Sequence, residues 1–152
     1  MHLFCPLRKK WVVALPEEKI RQALIKKMTE SLGYPLNYLA LEKSLNGLPH
    51  LQFSSALPKR RADLIVFSQG TGPNFSLYPL LLIECKATSL TNKVLRQLVG
   101  YNRFIGAHFI AAINEMQSII GHFEEKNKNY VFSEGLPSYP LLIEKAQLKK
   151  SI

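Results

Sequence analysis

Two short apolar runs decide the fold: Arg61–Phe67, RADLIVF, and Pro79–Ala87, PLLLIECKA. Both are rich in branched side chains, and the turn-forming SQGTGPNFSLY lies between them, so they read as two buried β-strands joined by a loop. Each run carries a charge that its setting disfavours. Asp63, the sole aspartate of the chain, stands inside the first, where strand propensity opposes Asp and a buried carboxylate needs a compensating partner. Glu84 and Lys86 interrupt the end of the second. Period-2 alternation puts Leu80, Leu82, Glu84 and Lys86 on one strand face and turns Cys85 to the other, where it reads as a small buried hydrophobe. With the two strands as neighbours, Asp63, Glu84 and Lys86 converge at one sheet end as two carboxylates and an ammonium.

Upstream of this pair, Pro16 stands where a first helical residue is favoured. Ile20, Ala23, Leu24 and Met28 then make an apolar stripe that Gly33 and Pro35 stop, which predicts a helix over about 17–32 after a short strand at Trp11–Leu15. Tyr38–Leu45 is apolar and partly alternating and reads as a strand ending in the turn-rich Asn46–Pro49. Downstream, Val94, Leu95, Leu98, Tyr101 and Ile105 recur at helical spacing over about 91–105, and Ala107–Ile113 is strand-like. Strand, helix, strand in that order predicts a parallel pairing of the last strand with an inner one, the earlier strands meandering. Met116–Phe123 and Tyr130–Phe132 flank the polar EEKNKN and predict a peripheral C-terminal β-hairpin. The expected fold class is therefore α/β, with an αβββαβ core and a mixed central sheet flanked by helices. At 152 residues with 47% hydrophobic content, the chain has the size of one domain, with a core over about 11–115 and a hairpin and tail over about 116–152.

Twenty Lys and Arg against eleven Asp and Glu give a net +9. Residues 1–61 carry eleven basic and four acidic side chains, a local +7, which suits a polyanionic partner, either nucleic acid or an anionic membrane surface. No stretch approaches the roughly 18 apolar residues of a spanning helix. The opening MHLFCPLRKK puts its charge after the apolar segment, the reverse of a signal peptide, so a cytoplasmic protein without membrane partners is expected. Cys5 and Cys85 are far apart and lack zinc-site spacing, and the four histidines share none, which argues against a disulfide framework or structural zinc. Gly70-Thr71-Gly72 opens no predicted helix, so it is not read as a phosphate-binding loop.

Two carboxylates, with water and the Cys85 backbone carbonyl, make a hard-cation site suited to Mg²⁺ or Mn²⁺. Such an ion polarises a phosphoryl oxygen and lowers the pKa of a bound water, while Lys86 orients that water or neutralises developing charge. Phosphodiester hydrolysis is the matching reaction. A Glu-x-Lys pair alone is a poor signal, since Glu17–Lys19 and Glu124–Lys126 repeat it; only the middle one ends a buried strand. Its structural alternative is an ion pair at a strand end.

KRRADLIVF followed by PLLLIECKA resembles the PD-(D/E)xK nuclease superfamily, and within it the N-terminal nuclease domain of type I restriction enzyme R subunits. That resemblance implies a restriction-endonuclease-like αβββαβ core, which agrees with the order read from periodicity, over about Trp11–Tyr139. It also implies a metal-dependent DNA endonuclease in which Asp63 and Glu84 ligate the ion and Lys86 assists the attacking water. Gln97 and Tyr101, an i, i+4 pair in the following helix, match the Q-x-x-x-Y element often found in that family, implied to hold Lys86 or contact a phosphate. A glutamate of the first helix is often a further ligand there. Glu17 is preferred to Glu18 because it shares a face with Ile20, Arg21 and Leu24. Ala62 replaces the proline of the superfamily's name, a backbone feature rather than a chemical group. Helicase-like motor segments are missing, so ATP binding by this chain is not expected. Lys59, Arg60 and Arg61, with Arg8, Lys9 and Lys10, are candidates for neutralising DNA phosphates. Expected partners are DNA and a homodimer or a larger restriction or repair complex. The rival reading is a nucleic-acid-binding module of such an assembly that cuts nothing in isolation.

Overall fold

The computed structural model of the chain describes residues 1–44, 61–69 and 77–150. A small hairpin, β1 (His2–Cys5) with β2 (Lys10–Val13), precedes helix α1 (Pro16–Ser31). Strands β3 (Leu39–Ser44), β4 (Arg61–Gln69) and β5 (Leu77–Cys85) follow, then α2 (Asn92–Ile105), β6 (Phe109–Ile113), β7 (Ser118–Glu124), β8 (Asn129–Glu134) and α3 (Tyr139–Lys150). The expected turn at Asn46–Pro49, the residues Lys59 and Arg60, and Gly70–Gly72 lie outside the described residues. Among the described residues no helix is long and apolar enough to cross a membrane.

The six larger strands form one mixed sheet in the order β3-β4-β5-β6-β7-β8. β3, β4 and β5 meander antiparallel, and α2 carries the chain across to β6, which pairs parallel to β5 from Leu81↔Phe109 to Cys85↔Ile113. This is the crossover that the strand–helix–strand order predicts. Thr91 caps α2 by accepting from the Val94 N–H at 3.3 Å, and Gly106 ends it with φ 73°, a left-handed position that glycine adopts without steric cost. Asn102 then fixes the turn into β6: its amide donates to the Ala107 carbonyl and accepts from the Ala107 N–H, both at 2.9 Å.

Helices cover both sheet faces, which makes the strands of the centre almost wholly apolar. On one face Leu24, Ile25 and Met28 of α1 and Leu142 and Ala146 of α3 pack on Leu64, Val66, Leu81, Ile83 and Ile113. On the other, Leu98, Tyr101 and Ile105 of α2 pack on Ile65, Phe67, Leu82 and Ile110. Alternation fails at one point. The register shifts beside Val66 and Phe67, leaving Leu80 as the extra residue of a bulge, so it packs with Leu81 and Ile83 rather than on the face of Leu82.

Three expectations need correction. The C-terminal hairpin is not peripheral: β7 pairs with β6 and β8 with β7, so both extend the main sheet, and Ile120 of β7 is in its core. The N-terminal strand spans Lys10–Val13 and has a partner, β1, because a turn over Pro6–Lys9 folds the first residues back on it. The tail contains α3, whose apolar residues Leu141, Leu142 and Ile143 are consecutive and so show no helical spacing. Its start is fastened to the end of α1. The Tyr139 N–H donates to the Leu32 carbonyl at 2.8 Å, and the Tyr34 hydroxyl donates to the Pro137 carbonyl at 2.8 Å. Tyr34 is buried, so Tyr34→Phe strands that carbonyl and is expected to cost about 1–2 kcal/mol in denaturant unfolding. A loss below about 0.5 kcal/mol would mean that the hydroxyl does not anchor α3.

Candidate active site

Asp63 and Glu84 stand near the start of β4 and the end of β5, at the same end of the sheet. The β4–β5 ladder runs to Leu64↔Ile83, and each carboxylate stands one residue beyond. Both line one cleft of about 760 Å³. Its other walls are Ala62 and Ala87 from the strand ends, Pro16, Glu17, Glu18 and Arg21 from the start of α1, and Arg8, Val12, Val13 and Leu15 from the hairpin and its exit. Four acidic and two basic residues among these leave the lining at 2 − 4 = −2, a balance that favours a cation.

The Asp63 carboxylate, 17% exposed, uses both oxygens. Oδ2 accepts from the Cys85 N–H at 2.8 Å and Oδ1 from the Arg21 guanidinium. Arg21 in turn donates through Nε to Glu18 Oε2 at 2.9 Å, and Glu18 Oε1 accepts from Arg8. Burial raises the Glu18 pKa, but hydrogen bonds from Arg21 and Arg8 outweigh it and hold the carboxyl below its ordinary value. The chain Arg8–Glu18–Arg21–Asp63 thus ties the hairpin and α1 to the sheet end. Arg8 also donates through Nε to the buried Cys5 Sγ at 3.3 Å; burial raises that thiol's pKa, and the Arg8 hydrogen bonds bring it below the usual value.

Glu84, 15% exposed, is 3.5 Å from the Lys86 ammonium, which is 30% exposed. β5 ends at Cys85, one residue sooner than the strand alternation needs to carry Lys86, yet the Lys86 N–H still donates to the Ile113 carbonyl at 2.9 Å and holds its backbone on the ladder. Lys86 reaches Glu84 but is not among the residues lining the cleft. The Cys85 side chain faces the α1-side core, as alternation requires, and burial with the nearby Asp63 charge pushes its thiol well up, so it remains protonated.

Both first-helix glutamates line the cleft. Glu17 is exposed at the cleft wall, whereas Glu18 is buried and ion-paired. The buried stripe of α1 is Glu18, Arg21, Leu24, Ile25 and Met28, about one residue round from the stripe that apolar residues alone suggest. Gln97 and Tyr101 are not brought to the cleft. Gln97 is exposed, while Tyr101 is buried in the α2-side core with Ala62 and Leu82, so the edge of the buried stripe passes between them. Of the basic candidates, Arg61 opens β4, Lys9 and Lys10 are exposed on the hairpin, and Arg8 is drawn into the Glu18 pair. Arg21 was not singled out by the sequence; its place three residues after Glu18 on a helix starting at a proline is the signal that could have found it.

Asp63 and Glu84 are the pair able to hold a divalent ion. Among the described residues no group of three His, Cys, Asp or Glu stands together as a closed metal cage. Mg²⁺ keeps several waters and needs one or two carboxylates, so an open two-carboxylate site fits it, with each Asp63 oxygen retaining a lone pair beside its present donor.

No curated protein and no solved structure matches the chain. A family model does, over residues 16–137, a span that takes in α1, α2, the six-stranded sheet and the cleft's four carboxylates but not the β1–β2 hairpin. On that match the chain belongs to the family of the type I restriction enzyme R protein N terminus.

Proposed function

We propose that the chain is a metal-dependent DNA endonuclease of the PD-(D/E)xK kind, carried on a restriction-endonuclease-like core and serving a restriction assembly. The observation that carries this reading is the convergence of Asp63 and Glu84, each within an otherwise apolar strand, on one acidic cleft with Lys86 paired to Glu84. Membership of an R-protein family supports a restriction role and DNA as partner.

Asp63 and Glu84 would hold Mg²⁺ or Mn²⁺, with the Cys85 carbonyl and Glu17 as further oxygen donors; the bound ion supplies Lewis acidity and a more acidic water. In hydrolysis a water oxygen bonds to phosphorus as the bond to the leaving sugar oxygen breaks. The water's proton passes to solvent and the leaving oxygen takes one up. Lys86 stabilises the negative charge that builds on the phosphoryl oxygens, and Glu84 keeps its ammonium at the strand end. Arg21, already on Asp63, fixes the carboxylate's direction. Gln97 and Tyr101, which lie away from the cleft lining, support α2 and not the reacting atoms in this reading.

One observation favours the second reading, a binding module that cuts nothing alone: the Asp63 charge is already neutralised by Arg21. Supercoiled plasmid separates the two. Nicking and linearisation with Mg²⁺ or Mn²⁺, abolished by EDTA, is the expected result. An inert chain that still binds plasmid in a salt-dependent way would establish the binding module instead.

A further inference from the structure

Cross-strand partners share a face. In the β1–β2 hairpin this puts His2 with Val13 and Phe4 with Trp11 on one side, and Leu3 with Val12 and Cys5 with Lys10 on the other. The second side is the packed one: Cys5 is buried and Leu3 and Val12 are half-buried. The first side is open, with Phe4 50%, Trp11 67% and Val13 56% exposed. The Phe4 and Trp11 rings meet edge to face with centroids 5.5 Å apart. Large aromatic side chains held side by side in water mark a surface built to be covered.

Charge and position identify what covers it. Residues 1–15 contain no Asp or Glu; Arg8 is paired with Glu18, but Lys9 in the turn and Lys10 are exposed, which suits an anionic partner. Flat aromatic rings beside cations suit a ligand that offers planar π-faces and phosphates together, which is nucleic acid. Val13 shares the open side with Trp11 and also lines the cleft that holds Asp63 and Glu84, so a strand lying on these rings continues into the cleft. Bases inside a duplex have both faces covered by their neighbours; an unpaired base does not.

We infer that the open side of this hairpin, Phe4 and Trp11 with Lys9 in the adjoining turn, is a stacking platform for single-stranded DNA. The path from platform to cleft rests on the nuclease reading; the binding itself does not.

Trp11 is the single tryptophan of the chain, so its emission reports on the platform directly. The full chain is titrated with an oligo-dT strand and with a duplex of equal length, both in EDTA, so that cleavage plays no part. Expected is quenching of Trp11 emission by the single strand and tighter binding of it than of the duplex. Anisotropy of the labelled strand should show Trp11→Ala weakening binding roughly ten- to hundredfold, the loss of one stacked base, and Trp11→Phe recovering much of it. Trp11 is mostly exposed, so the variant keeps its fold, which its circular dichroism and thermal midpoint verify. Unmoved emission with undiminished binding in Trp11→Ala overturns the inference. So does absence of strand binding together with self-association that Trp11→Ala abolishes, which would assign the face to a second copy. A chain that quenches as described yet never cuts plasmid loses the nuclease reading and keeps this one.

Discussion

Asp63→Asn and Lys86→Ala are each expected to lower plasmid nicking about 10²- to 10⁴-fold while leaving DNA affinity in EDTA nearly unchanged. Asparagine keeps an oxygen for the Cys85 N–H but removes the charge that faces Arg21 and that a divalent ion needs. Lys86 is 30% exposed and its pair with Glu84 is 3.5 Å long, so its removal costs at most about 1 kcal/mol of stability. A large loss of rate with an intact thermal midpoint therefore isolates a chemical role from a structural one. If the groups act as one unit, the double variant falls little further than either single one. Lys86→Ala nicking at the parental rate would take the ammonium out of the mechanism and leave the strand-end ion pair as its whole explanation.

Asp63 and Glu84 were legible because each breaks an apolar run, and a charge inside a buried strand is a local anomaly that requires no knowledge of the rest of the chain. The parallel β5–β6 pairing was legible for a similar reason: strand, helix, strand leaves few ways to pair. The partners of the carboxylates were hidden. Arg21 is 42 positions from Asp63, and the α1 stripe that meets the sheet includes Glu18 and Arg21 among Leu24, Ile25 and Met28. Counting apolar positions cannot register a buried stripe whose first turn is held by ion pairs, so the helix was read about one residue out of rotation and the burial of Glu18 was not foreseen. The same limit applies to α2, where the i, i+4 spacing of Gln97 and Tyr101 straddles the edge of the buried face. The β1–β2 hairpin escaped because its turn, Pro6–Lys9, lacks the Asn-Gly or Gly-rich signal of tight hairpins and instead sets Lys9 at φ 53°. In α3 the consecutive Leu141, Leu142 and Ile143 masked the helix, although Ser138 before Pro140 is a start signal.

Arg21→Leu is expected to be the most destabilising single change at the cleft, by about 2–4 kcal/mol. One guanidinium serves two carboxylates, Glu18 through Nε and Asp63 through Nη1, and its side chain is buried with theirs nearly so. Leucine matches the apolar stem but leaves Asp63 without its cation and Glu18 with Arg8 and the neutral Gln22 amide, and two anions then share a poorly solvated corner. The full penalty for an uncompensated buried charge is about 3–5 kcal/mol; partial exposure of Asp63 to the cleft reduces it. For a domain of this size the thermal midpoint should fall roughly 5–15 °C. The pH dependence tests the cause. Glu18 titrates lower in the folded chain than its ordinary value of 4.5, so it adds stability above that value, and the gain disappears as pH falls through the folded value. In Arg21→Leu burial is opposed mainly by Arg8 and that gain shrinks. The gap in midpoint between parent and variant should therefore be widest near neutrality and narrow below pH 4.5, as Glu18 protonates and no longer needs the cation. A gap that stays constant with pH would assign the loss to packing of the arginine stem, and the four-residue chain from Arg8 to Asp63 would then be a consequence of the fold and not one of its supports.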